Sequence, residues 1–147
     1  MATHIVSVLN DLIETSKDGE AGFRKAAEDA SNPELKTLFA SCAQSCSQAV
    51  SELQAAVHSL GGKAEDHGSA SGALHRGWMD LKSAIKGRSD HEILADCEKG
   101  EDVAKKHYRQ ALDEALPADI RMLVERQYEG VLKNHDRVRE LRDATAR

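Results

Sequence analysis

Residues 31–62 read SNPELKTLFASCAQSCSQAVSELQAAVHSLGG, and this stretch decides the fold class. Leu35, Leu38, Phe39, Cys42, Cys46, Ala49, Leu53, Ala56, Val57 and Leu60 recur every three to four positions, the period of a helix with one apolar face. Both ends carry signals. Asn32 is an N-cap candidate, Pro33 suits the first helical position, Glu34 supplies a capping-box acid, and Gly61-Gly62 stops the run.

The same period runs outward from this helix. Before it, Ile5, Leu9, Leu12, Phe23, Ala26 and Ala30 predict a helix over residues 3 to 30, with Gly19 and Gly22 marking a kink or a close helix approach. After it, residues 63–71 turn to Gly, Ser, Asp and His without periodicity, which reads as a surface connection. Leu74, Trp78, Leu81 and Ile85 then form one narrow stripe, which predicts a short extra helix in the crossover, lying across the core. Ser89-Asp90-His91-Glu92 is a second capping box, opening a helix with Ile93, Leu94, Cys97, Ala104, Tyr108, Ala111 and Leu112 inward. A last helix from about Pro117 to Ala144 turns Ile120, Leu123, Val124, Val131, Val138 and Leu141 inward. The short link at Leu116 makes it antiparallel to its predecessor. The prediction is an all-α, antiparallel four-helix bundle of ferritin-like shape, with the extra helix between the second and third bundle helices.

At 147 residues the chain has the size of one domain and can bury a core without disulfides or metal staples. A formal net charge of −5 and the lack of a dense Lys/Arg stripe exclude a nucleic-acid backbone as partner. No apolar run approaches the roughly 20 residues that cross a bilayer, and Asn10, Asp11 and Glu14 interrupt the apolar N-terminal residues, so no membrane or secretion role is expected. A cytoplasmic protein is expected. Cys42, Cys46 and Cys97 are odd in number and sit inside helical stripes, where each replaces a small apolar residue and reads as reduced core packing.

Leu9-Asn10-x-Leu12-Ile13-Glu14, Lys17-Asp18-Gly19, Gly22-Phe23, Leu60-Gly61-Gly62, Leu74-His75-Arg76-Gly77-Trp78 and Gly100-Glu101-Asp102 together resemble a bacterial family. It comprises four-helix-bundle proteins of unknown function grouped with the ferritin-like superfamily. The resemblance implies one ferritin-like domain over residues 1–147 and a distant kinship with di-iron carboxylate proteins.

A di-iron centre of that kind needs a Glu from each of two helices and a Glu-x-x-His pair from each of the others. No such pair exists here. Glu52 is followed at that spacing by Ala55, and Glu125 and Glu129 by Tyr128 and Leu132. Glu101, however, falls inside the apolar stripe of its helix with Glu98 at the margin, and a carboxylate there needs a partner. Counting outward from the Leu116 turn sets Gln127, Asn134 and His135 at its height. One reading is a hydrogen-bonded polar layer of Glu101, Gln127, Asn134 and His135 that fixes helix register. The other is a degenerate or mononuclear metal site drawn from Glu20, Glu52, Glu98, Glu101 and His135, with iron as the ion. The pairs Glu101 to Lys105 and Asp102 to Lys106 read as ordinary i,i+4 contacts.

His75 and Trp78 share a face of the crossover helix and Arg76 points elsewhere; one reading makes the three a functional surface, the other makes Trp78 a core plug with His75 a structural histidine. No nucleophile-and-base set is visible and no catalytic residue is assigned. Expected is a non-catalytic bundle acting by self-association, as a homo-oligomer, or by binding a protein partner, with no resident cofactor. The alternative is an iron-binding or di-iron-type oxidoreductase built on the degenerate carboxylate/His site.

Overall fold

The computed structural model describes residues 2–63 and 89–145, and these residues contain four helices and no strand. They are α1, Ala2–Asp29; α2, Pro33–Ser59; α3, Asp90–Leu112; and α4, Ala118–Thr145. The predicted crossover helix, and with it His75, Arg76 and Trp78, lies outside the described residues. No helix among the described residues is long and apolar enough to cross a membrane.

Local chemistry marks both ends of α2 and the start of α3. Asn32 caps α2 by accepting from the Glu34 amide at 2.8 Å, with Pro33 behind it. Glu34 stands one position too early to complete a capping box, and the Asn32 amide instead donates to Asp90 Oδ2 at 3.1 Å, while Ser31 N donates to Oδ1 at 2.8 Å. The first residue of α3 thus supplies the acid that the start of α2 lacks. At the other end of α2, Gly62 N donates to Val57 O and Gly61 N to His58 O, the two bonds of a Schellman motif. Gly61 has φ +77°, a backbone that L side chains resist. Ser89 completes the expected capping box with Glu92 at the start of α3.

α1 packs along α2 and α3 along α4, α1 also lies against α3, and α2 meets α4 least. Asn10 on α1 donates to Lys63 O just past the end of α2, and Asp90 meets the α1–α2 turn, so α2 and α3 both run opposite to α1. α1 runs unbroken through Gly19 and Gly22 as one helix. A Cβ at Gly19 would lie 3.0 Å from Cys46 Sγ, so this glycine serves the close approach of α2.

The core forms two apolar clusters. Leu9, Leu12, Ile13, Leu53, Val57, Ile120 and Val124 fill one half. Phe23, Ala26, Phe39, Cys42, Ile93, Leu94, Cys97 and Val138 fill the other, with the Phe23 and Phe39 rings stacked at 6.2 Å. Each fully buried Leu, Ile or Phe contributes about 1.5–3 kcal/mol by leaving water, which is what holds the helices together. In chain order, the buried polar residues Ser16 and Glu101 fall between the two sets on α1 and α3, and Gln127 and His135 do so on α4.

Candidate metal centre

Glu98 and Asp102 are four apart on α3, which puts both carboxylates on one side of the helix, one turn from each other. His135 reaches them from α4. Its Nε2 lies 2.7 Å from Asp102 Oδ1 and 3.6 Å from Glu98 Oε2. One donor atom from each of the three residues falls within 4.8 Å of the other two, the only such His/Cys/Asp/Glu group among the described residues. The imidazole is 4% exposed and the Asp102 side chain 57%, so the group has a buried back and a solvent-facing front.

A surrounding layer orients these donors. His135 Nδ1 lies 3.3 Å from Asp136 Oδ1; without an ion Nε2 is at hydrogen-bond distance to donate to Asp102 Oδ1, and in the tautomer with the proton on Nδ1, held by Asp136, Nε2 would be free to bind a metal. Metal-ligating histidines carry this arrangement as a rule, because it fixes the tautomer and raises ligand basicity. Arg142 donates to Glu98 Oε1, which leaves Oε2 facing His135. Arg142 also donates to Asp143 Oδ1, and Asp136 has Arg139 at 3.7 Å.

The other residues singled out in the sequence lie in different surroundings. Glu20 is paired with Arg24 on its own helix. Glu52 accepts from Arg126 at 3.1 Å and from Gln127 at 3.0 Å; burial pushes its pKa up, but these donors outweigh it and hold the carboxyl below the usual range. Gln127 also accepts from the Tyr108 hydroxyl at 2.9 Å, and Ser16 Oγ lies 3.4 Å from the same hydroxyl. Asn134 is half-buried. Glu101 is 3% exposed, and its Oε1 has no hydrogen-bond partner. Desolvation raises its pKa well above the ordinary 4.5, with Asp102 and Asp136 adding to the rise and Lys105 opposing it.

Of the five residues proposed from sequence as ligands, the structure therefore joins Glu98 and His135 and adds Asp102. The i,i+4 spacing pairs Asp102 with Lys106, whereas the structure sets its carboxylate against His135. The signal that could have found it is the Glu98-x-x-x-Asp102 spacing, two acids one turn apart on a helix whose neighbour carries a histidine. Burial lifts the Cys42 thiol to about 12, and lifts Cys46 and Cys97 as well, so none of the three offers a thiolate near neutral pH.

The family described as Domain of unknown function (DUF2383) matches residues 4–114, about three quarters of the chain, and the chain belongs to that family. The matched stretch takes in α1, α2 and α3 and ends before α4, where His135, Asp136 and Arg142 lie. No curated protein matches the chain.

Proposed function

We propose that this protein is a non-catalytic four-helix bundle, distantly related to the ferritin-like proteins, that holds one divalent transition-metal ion between α3 and α4. Glu98, Asp102 and His135 are its ligands. The observation that carries this is the convergence of two carboxylates and a buried imidazole whose other ring nitrogen faces Asp136. Oxygen and imidazole donors together suit Fe(II), Mn(II) or Zn(II) rather than Ca(II) or Mg(II), which prefer oxygen alone. Three protein ligands leave coordination positions for water on the Asp102 side, the pattern of an open site.

A single ion fits better than a pair. Glu20 and Glu52, which a second ion would need, are held by Arg24 and by Arg126 with Gln127. Iron stays within the proposal, as one of three ions the donor set accepts. Self-association has less behind it: Met122 is the one exposed large apolar side chain among the described residues, and single apolar side chains are ordinary on protein surfaces.

The test is a titration of chelator-treated protein with Zn(II), Mn(II) and Fe(II), read by calorimetry and by elemental analysis after gel filtration. One equivalent is expected, with Asp102→Asn and His135→Gln each weakening binding about 10- to 100-fold or more. Protein that binds no ion, or whose affinity survives both substitutions, would refute the site.

A further inference from the structure

A second place in the molecule is built to receive something. α2 and α4 touch less than the other neighbouring helices do, and between them lies a cleft of about 320 Å³. Ser16, Tyr108, Val131, Lys133 and Asn134 line it, with Gly130 on the α4 wall. It shares no residue with the Glu98–Asp102–His135 group.

Gly130 is the first clue. A glycine inside a helix lowers stability relative to alanine. Here a Cβ would meet no atom within 4 Å. Gly130 is exposed, so its bare backbone leaves the α4 wall open to a molecule lying against it.

Charge is the second clue. The cleft is lined by one carboxylate and two cations, Glu52, Arg126 and Lys133, in a protein of net charge −5. Glu52 is satisfied by Arg126 and Gln127. Lys133, by contrast, makes no ion pair among the described residues; it is exposed and lines the cleft next to Asn134, with Asp136 and Glu140 in the adjoining groove.

The floor supplies the third. Tyr108 and Val131 give it apolar surface, and the Tyr108 hydroxyl, donating to Gln127, keeps its oxygen as an acceptor towards Ser16. We propose that this cleft binds a small molecule with one carboxylate and an apolar body of about ring size. The carboxylate sits on Lys133 and Asn134, and the body lies against Gly130, Val131 and Tyr108. The Lys133 ammonium matches a monoanion, and the apolar floor favours an organic acid over a bare inorganic ion.

Benzoate serves as the probe, with benzyl alcohol and benzylamine as neutral and cationic counterparts, each titrated into the ¹⁵N-labelled full chain. Benzoate is expected to shift the Gly130, Val131 and Asn134 amides saturably, and benzylamine is not. Lys133→Met is expected to weaken benzoate about tenfold or more, as loss of a charge-assisted contact does. Gly130→Leu, which fills open space on a helix and keeps the fold, is expected to abolish binding with an unchanged circular dichroism spectrum. The proposal is overturned if benzoate gives no saturable shift at millimolar concentration, if its shifts map elsewhere, or if benzylamine binds as well. It is equally overturned if both variants bind benzoate as the wild type does.

Discussion

At the scale of single residues, Glu101 is held in the least favourable setting. Its carboxyl is almost wholly buried and one oxygen is unbonded, beside Asp102 and Asp136, whose charges repel an ionised neighbour. Burial therefore keeps the proton on in the folded state, while the unfolded chain releases it near 4.5. Because the folded form binds the proton more tightly, this group does not weaken the fold below 4.5. Above it, stability falls as pH rises, by up to about 1.4 kcal/mol per unit until the raised folded pKa is reached. Glu101→Leu should flatten that fall and stabilise the metal-free protein at pH 8 by about 1–3 kcal/mol, since it also removes an unsatisfied buried oxygen. Urea unfolding from pH 5 to 8 measures this. Parallel pH curves for wild type and variant would show that the carboxyl is solvated after all.

At the scale of helices, the ends matter more than the middles. The Gly61-Gly62 stop was legible from composition, but the two glycines do different things. Gly61 takes a left-handed backbone, and Gly62 makes room for α1: a Cβ there would come within 2.6 and 2.8 Å of the two Val6 γ-carbons. Gly62→Ala is thus expected to destabilise by about 1–3 kcal/mol through overpacking. Val6→Ala should restore most of that loss in the double variant, a coupling that a mutant cycle measured by thermal unfolding reads directly. Additive effects would mean that the contact between Gly62 and Val6 is slack. The bond from Asn32 N to Asp90 makes a related point, since the acid that serves α2 stands 58 residues away, at the start of α3. Local pattern supplied Asn32 and Pro33 but had no means of supplying their partner.

For the molecule as a whole, the two apolar clusters set the packing, and the Glu98–Asp102–His135 group bridges α3 and α4 beside one of them. An ion bound there ties two helices that the Leu116 turn already joins, so its effect should appear as stability of the pair. By mass action, metal at a hundred times its dissociation constant stabilises the fold by about 2.7 kcal/mol. Hydrogen exchange should show the added protection in α3 around Glu98–Asp102 and in the second half of α4, and Asp102→Asn should remove it. Protection confined to α1 and α2 would place the ion elsewhere.

What the sequence determined alone was the helical layout: where α2, α3 and α4 begin and end, and the centre of the apolar stripe on each, though Ala43 and Val50 are buried outside the stripe it marked. A period of 3.6, caps and glycine stops are local, and helix formation depends on local bonds. The inward placement of Cys42, Cys97, Tyr108 and Val138 follows from that period, and so does the burial of Glu101. The partners of the polar residues were decided only by the tertiary structure. Helix period says that Glu98, Glu101 and Asp102 share a side of α3; only the rotation and height of α4 against α3 and α2 bring His135 to Glu98 and Asp102 and send Gln127 to Tyr108 and Glu52, and only the packing leaves Glu101 unbonded. A shift of one residue along either helix turns a side chain by about 100° and moves it 1.5 Å, enough to change which hydrogen bonds form.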